Sequence, residues 1–353
     1  MKISSIKVSE IEIPLNKPFR ISLGIISKAR IAMVEIQTDE GISGFGEGAS
    51  ALLITGDVLG GIKEGIKILG NAIIGMDPID IEKVYWAMNK TLMRNPAAKA
   101  AIDIAVHDLI GKITNQPLYK LLGGYRDTFI TDLTIGIDDP EEMAISAKKA
   151  VDQGFGTIKI KVGISLKEDV ERIQKIREAV GKDVRIRVDA NQGWNAKEAI
   201  NIIGKIAEYD IELVEQPVPA CDLEGLAHVT KNTPVPIMAD ESVFNASDVL
   251  NIIKMRAADI INIKLMKCGG LKEAQKINTL AEVAGMECML GCMAEESNIG
   301  ITAAASLGAA CKNITRGDLD ATFFLSSLPI KGGAVIEGGK INLPNVPGLG
   351  LMI

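Results

Sequence analysis

Thr157-Ile158-Lys159-Ile160-Lys161-Val162-Gly163 ("TIKIKVG") alternates apolar and charged residues in the manner of a β-strand. Side chains at i and i+2 leave a strand on one face, so Lys159 and Lys161 point the same way. On a half-exposed strand that face would be water. The surrounding sequence argues otherwise. From about residue 128 onward, short β-rich runs alternate with amphipathic helical runs: "FITDLTIGI", "TIKIKVG", "VRIRVDA", "IELVEQPV", "PIMADES", "IINIKLMKCGG", "ECMLGCM" and "NITRGDLDA". Eight strands separated by helices predict an α/β fold, a (β/α)8-type barrel over residues 123–325. Strands of such a barrel are covered outside and packed inside. A charge on either face is then costly unless it is paired or used.

Charged residues recur where successive strands end: Lys161, Asp189, Glu215, Asp240 and Lys264, at intervals of 28, 26, 25 and 24 residues. Each interval is one strand-plus-helix unit, so the charges fall at one level of the barrel, on the rim where this fold builds its sites. Helix capping accounts for single acids at strand ends, not for three on adjacent strands flanked by lysines. Asp189, Glu215 and Asp240 offer hard oxygen ligands to one divalent cation such as Mg²⁺. No histidine lies near them, which argues against zinc or copper. Asn191, two residues past Asp189, faces the same way and suits either a ligand-orienting or a turn role.

Lys161 ends the second strand and Lys264 the sixth, opposite each other on an eight-strand ring. A free lysine is protonated at neutral pH and is no base. Lys159 lies one strand repeat away, about 7 Å. At an effective dielectric of about 20, that like-charge neighbour costs roughly 2.4 kcal/mol, which favours a neutral Lys161. Two opposed bases and a cation suit removal of a proton α to a carboxylate and its return on the other face, a racemisation or epimerisation.

Outward from the barrel, residues 1–122 read as an α+β unit. "IAMVEIQT", "DEG" and "ISGFGEG" form a hairpin pattern, and glycines 41, 44, 46 and 48 lack the spacing of a phosphate loop. Residues 58–122 are helical in pattern, with alanines in "AAKAAIDIAVHDLIGKI" that permit close packing. Asp103 and Asp108 on that helix read as caps or interface partners. Residues 326–353, rich in Gly and Pro, are expected to run back to the N-terminal unit. The net charge of −6 lacks the footprint of a nucleic-acid binder. Five cysteines form no zinc pattern and read as reduced thiols of a cytoplasmic protein. No signal peptide or membrane-spanning run is evident.

"KIK" (159–161), "DANQGW" (189–194), "VEQP" (214–217), "ADES" (239–242) and "NIKLMKCGG" (262–270) together resemble the enolase superfamily, muconate lactonizing enzyme subgroup. The resemblance covers essentially the whole chain. It implies a modified (β/α)7β barrel under an N-terminal α+β capping domain, a lysine base and a Mg²⁺-stabilised enediolate. It further implies one Mg²⁺ per subunit on Asp189, Glu215 and Asp240, catalytic Lys161 and Lys264 assisted by Lys159, and support from Asn191 and Glu241. "DLD" at 318–320 is similar to the Asp-x-Asp motif with which dipeptide epimerases hold the substrate's α-ammonium group. That likeness implies a dipeptide whose C-terminal residue is inverted, bound by Asp318, Asp320, Thr134, Met293 and the capping-loop residues Leu23, Gly24 and Ile26. It also implies an assembly of identical chains with no nucleic-acid or membrane partner.

One departure bears on specificity. Members acting on an acidic second residue carry an arginine in the capping loop; here the matching position in "FRISLGII" is Gly24, with Arg20 nearby. An apolar or aromatic second residue is therefore expected. Rival readings are an L-Ala-D/L-Glu epimerase, or an N-succinylamino acid racemase, o-succinylbenzoate synthase or cycloisomerase, which have no need of "DLD". A non-catalytic sugar- or peptide-binding barrel would have no need of Lys159 beside Lys161.

Overall fold

The computed structural model describes residues 1–352; Ile353, the last position of the predicted 326–353 segment, lies outside the described residues. Three antiparallel strands open the chain: β1 (Ile3–Ile21), β2 (Gly24–Thr38) and β3 (Ser43–Ala49), in the order β1-β2-β3. Helices α1 (Leu59–Ile73), α2 (Ile81–Thr91), α3 (Pro96–Ile113) and the short α4 (Leu118–Leu121) follow. The glycine-rich stretch is the expected hairpin arm, and its glycines serve packing. A Cβ on Gly48 would lie 2.6 Å from Ala97 O. One on Gly46 would overlap the Ala101 carbonyl, and one on Gly44 the Ala105 carbonyl. The match is geometric: alternate strand positions advance about 7 Å, and four helical residues about 6 Å. Glycines two apart thus track alanines four apart, and α3 lies directly on β3.

After β4 (Thr128–Ile130), the barrel strands are β5 (Leu133–Ile135), β6 (Thr157–Lys161), β7 (Arg185–Asp189), β8 (Ile211–Glu215), β9 (Ile237–Ala239), β10 (Ile260–Lys264), β11 (Glu287–Gly291) and β12 (Ile314–Asp318). They pair in sequence order, and each ladder is parallel. Between them run α5 (Pro140–Asp152), α6 (Leu166–Val180), α7 (Ala196–Ile206), α8 (Leu223–Asn232), α9 (Ala246–Met255), the short α10 (Leu265–Cys268) with α11 (Leu271–Val283), and α12 (Asn298–Ala310). Among the described residues no α-helix follows β12, so the barrel has seven helical crossovers and a bare eighth strand, the (β/α)7β pattern. The run "FITDLTIGI" is not one strand. It breaks at Thr131-Asp132, because β4 pairs with a C-terminal strand while β5 joins the barrel.

Between β5 and β12 the barrel ladder is not continued. A backbone bond from Asp132 N to Gly317 O (3.2 Å) is joined there by side-chain bonds: Leu319 N donates to Thr131 Oγ1 (2.7 Å) and Thr134 N to Asp320 Oδ2 (2.6 Å). The chain ends in β13 (Lys331–Gly332), β14 (Val335–Glu337), β15 (Lys340–Asn342) and β16 (Leu351–Met352). Its tail returns to the first unit, where Leu349 N donates to Asp108 Oδ1 (2.8 Å) and Leu118 N to Gly348 O (3.0 Å). Asp108 also accepts from Phe45 N (2.9 Å), and Asp103 from Leu271 N (2.5 Å), so both acids of α3 tie elements together. Among the described residues no helix is long and apolar enough to cross a membrane.

Candidate active site

Ladder register sets the rim. Lys161 pairs with Asp189, and Asp189 with Glu215, as direct neighbours across β6, β7 and β8. Asp240 follows β9 by one residue, and Lys264 closes β10. All five are buried. Lys161 Nζ lies 2.6 Å from Asp189 and 2.9 Å from Asn191 Oδ1; Lys264 Nζ lies 2.8 Å from Asp240. Lys159 sits at the centre, within 2.6 Å of Asp318, 2.7 Å of Glu215 and 3.0 Å of Asp189.

That placement changes the expected role of Lys159. Its charge is matched by three carboxylates, and it shares Asp189 with Lys161 rather than facing it as a bare repelling neighbour. Burial opposes the charge, but Asp318, Glu215 and Asp189 outweigh it and hold the Lys159 pKa well above the ordinary lysine value. Burial likewise opposes the Lys264 charge, and Asp240 and Glu215 outweigh it, holding its pKa above the ordinary lysine value. Burial, reinforced by Asp189, pushes Glu215 up to about 8, whereas Lys264 and Lys267 overcome burial to depress Asp240.

Lys267 is not among the residues that the strand spacing singles out. It lies three residues past Lys264, so the short α10 returns it to Asp240 at 2.5 Å. Glu241 accepts from Asn191 Nδ2 (3.1 Å), and burial with the charge of Asp240 raises it to about 7. Another unanticipated charge is Asp132, which accepts from Arg187 Nη1 (2.8 Å) inside the barrel. Oxygens of Asp132, Asp318 and Asp320 lie within 4.8 Å of one another. This cluster differs from the predicted metal acids and carries the "DLD" motif. Lys159 holds Asp318 down to about 2 against the effect of burial. Asp320, raised by burial and by Asp318, stands near 6.

A cation on Asp189, Glu215 and Asp240 fits the donor set: three buried carboxylates at one rim level, with no sulfur or imidazole among them. Glu215 Oε2 accepts no directed hydrogen bond, although the Lys159 ammonium is beside it, and so has ligand capacity to spare.

The three lysines and the acids of the "DLD" motif open into one cavity, which Asp189, Glu215 and Asp240 do not themselves line. Lys159, Lys161, Asn191, Lys264, Thr134, Asp318 and Asp320 form its floor, and Phe19, Ile21, Ile26, Ile54, Met293 and Phe324 its apolar wall. Of the residues expected to bind substrate, Thr134, Met293 and Ile26 line the cavity, and Leu23 and Gly24 do not. The capping "loop" is the tip of the β1–β2 hairpin, with Ile21 paired to Gly24 and Phe19 to Ile26. Strand alternation turns Phe19, Ile21 and Ile26 inward and leaves Arg20, Leu23 and Ile25 exposed. Ser22 fastens the tip to the rim by donating to Asn191 O (2.8 Å). Ile54 and Phe324 come from distant loops, and Phe324 stacks on Phe19 at 4.7 Å. Glu295 also lines the cavity, and burial raises it to about 7.

Comparison with known proteins agrees with this architecture. The "Mandelate racemase / muconate lactonizing enzyme, N-terminal domain" matches residues 3–123, and the "Enolase C-terminal domain-like" family matches residues 142–353. A hydrophobic dipeptide epimerase of Enterococcus faecalis is 53% identical over 99% of each chain. An L-Ala-D/L-Glu epimerase of Clostridium acetobutylicum is 46% identical, also over 99% of each. The crystal structure of the dipeptide epimerase from Enterococcus faecalis, complexed with Mg and L-Leu-L-Tyr, superposes with a TM-score of 0.98 at 52% identity, covering 100% of both chains. With both of its halves matched and relatives this similar along its full length, the chain belongs to the mandelate racemase/muconate lactonizing enzyme family of the enolase superfamily.

Proposed function

We propose that this chain is a dipeptide epimerase, an isomerase that inverts the α-carbon of the C-terminal residue of an L,L-dipeptide by 1,1-proton transfer. One observation carries the reading. Two buried lysines, from the second and sixth barrel strands, open into a single cavity beside the buried acids Asp318 and Asp320. Lys161 removes the α-proton from one face and Lys264 returns one to the other. Asp318 and Asp320 accept charge-assisted hydrogen bonds from the substrate's α-ammonium group, the stronger kind of hydrogen bond. Lys159 keeps Asp318 ionised for that contact.

Asp189, Glu215 and Asp240 would hold one Mg²⁺, a reading supported by similar dipeptide epimerases whose crystal structures are complexed with Mg. When bound, it supplies positive charge to the substrate carboxylate and takes up the anionic charge that otherwise fixes Lys161 and Lys264 to their acids. Residues 1–122 cap the barrel of residues 123–325, and residues 326–353 return to the cap. The five free cysteines support a cytoplasmic setting.

The second residue of the substrate is apolar or aromatic. Its side chain meets Phe19, Ile21, Ile26, Ile54 and Phe324, and Arg20 points away from them. A buried glutamate side chain there would be desolvated without a partner, whereas an apolar one gains about 25 cal/mol per Å² buried. The test is a dipeptide library incubated in D₂O with Mg²⁺, read by α-deuterium incorporation and then by kcat/KM for L-Ala-L-Leu, L-Ala-L-Tyr and L-Ala-L-Glu. Preference for the glutamate dipeptide overturns the side-chain assignment and favours an L-Ala-D/L-Glu epimerase. Exchange into no dipeptide overturns the reading itself.

A further inference from the structure

Glu47 lies on β3 between the glycines that face α3, so its side chain leaves on the other face, toward the barrel. It is fully buried. Its Oε1 accepts from Ser297 N (2.8 Å) and Gly300 N (3.0 Å), and its Oε2 from the Ser297 hydroxyl. Ser297 is the N-cap of α12, so a cap-sheet carboxylate occupies the start of a barrel helix. Glu296 folds back to accept from Met293 N (2.7 Å), and its Oε2 has no hydrogen-bond partner. A Cβ on Gly300 would lie 2.5 Å from Glu47 Oε1 and 2.6 Å from Glu296 Oε2, so the two carboxyls meet over the first turn of α12.

Between β11 and that turn run residues 292–297, and Cys292, Met293, Ala294 and Glu295 of this loop line the cavity. Phe19, Ile21 and Ile26 of the same cavity come from the β1–β2 hairpin of the cap sheet, and Ala294 packs against their cluster. Glu47 does not reach the cavity. It grips the loop that does.

We propose that Glu47 is a positioning residue for the reaction, holding the 292–297 wall in register with the cap through Ser297 and Gly300. Two buried carboxylates this close do not both ionise readily. Burial pushes Glu47 up to about 7; burial together with Glu47 pushes Glu296 up to about 8, with Glu295 and Lys264 the other charges that face it. The pair therefore retains a proton near neutrality, and Glu47→Gln stands in for the protonated form while keeping an acceptor for Ser297 N and Gly300 N.

The kinetic arm of the test rests on the dipeptide reading; the exchange arm does not. Full-length wild type, Glu47→Gln, Glu47→Ala and Ser297→Ala would be compared by kcat and KM on the best dipeptide, and by amide hydrogen exchange over residues 292–300. Glu47→Ala is expected to raise KM about 10- to 100-fold, with a smaller effect on kcat, and to accelerate exchange in that segment. Ser297→Ala falls between, and Glu47→Gln stays within about threefold of wild type. If Glu47→Ala does not fold, Ser297→Ala carries the test. Unchanged KM and unchanged exchange in folded Ser297→Ala, or Glu47→Gln as impaired as Glu47→Ala, overturns the proposal. Wild type inert on every dipeptide, with loop exchange still responding to Ser297→Ala, overturns the epimerase reading and leaves the role of Glu47 standing.

Discussion

Alanine at position 46 should reverse the usual sign of a glycine substitution. At a site whose backbone suits any residue, Gly→Ala stabilises a protein by about 0.4–1 kcal/mol, because the unfolded chain loses freedom. The Gly46 backbone is ordinary extended strand, so this gain applies. Against it stands the surface of α3. The added methyl would overlap the Ala101 carbonyl oxygen and lie 2.8 Å from Ala105 N, and neither backbone atom can rotate aside. Relief requires α3 to lift from β3. Overpacking of this kind costs about 1–3 kcal/mol. The upper end applies here, because moving α3 also strains the bonds from Asp103 to Leu271 and from Asp108 to Phe45 and Leu349. The net expectation is a loss of about 2 kcal/mol. Gly204→Ala is the control: it lies in α7 with nothing within 4 Å of where its new methyl would sit, so it should gain about 0.5–1 kcal/mol from helix propensity. Urea denaturation with matched slopes measures both. A Gly46→Ala midpoint at or above wild type would refute the packing argument.

Lys161→Ala and Lys264→Ala should each abolish two-way epimerisation while leaving α-proton exchange from the one stereoisomer that the surviving lysine faces; NMR in D₂O reads both, and full epimerisation in either variant sinks the assignment. EDTA should remove activity and Mg²⁺ restore it, and Asp189→Asn, Glu215→Gln or Asp240→Asn should weaken Mg²⁺ binding in calorimetry; turnover by demonstrably metal-free protein contradicts this. Stability should decline as pH rises from about 4.5 through about 7, because Glu47 binds its proton more tightly in the folded chain than in the unfolded one. Glu47 alone accounts for about 3 kcal/mol across that window. Denaturation of wild type and Glu47→Gln at pH 5 and pH 8 tests this, and an equal pH dependence in the two counts against it.

The barrel and its rim charges are legible in the sequence because both are periodic. One strand-plus-helix unit separates Lys161, Asp189, Glu215, Asp240 and Lys264, and a parallel barrel turns equal spacing into equal height. The apolar wall has no such period. Ile54 and Phe324 are ordinary apolar residues of loops 270 positions apart, and only tertiary packing brings them to Phe19. Leu23 and Gly24 miss the cavity because the capping segment is a hairpin tip and not a loop: in a strand the pleat decides which residues face inward, and it selects Phe19, Ile21 and Ile26. Asp132 is hidden inside a run that looks like one strand. Its partner Arg187 belongs to another strand, and no local pattern announces such a pair. Lys267 has a signal, one helical turn after Lys264, that becomes meaningful only once α10 is seen to begin at the strand end.

The seam between β5 and β12 divides the molecule into parts that are free to drift and parts that are not. Asp320 joins the seam by accepting from Thr134 N, and Asp318 is bonded to the Thr134 hydroxyl at 3.3 Å. The acids proposed to receive the substrate's ammonium group are thus also fasteners of the barrel wall. A mutation that recast them for another head group would open the scaffold in the same stroke. The hairpin tip carries a lighter duty: Ser22 donates to Asn191 O (2.8 Å), Arg20 O accepts from Ile137 N (2.8 Å), and the inward side chains pack in a small apolar cluster with Leu325 and Phe324. New substrate side chains should therefore be accommodated first by changes at positions 19, 21, 26 and 54.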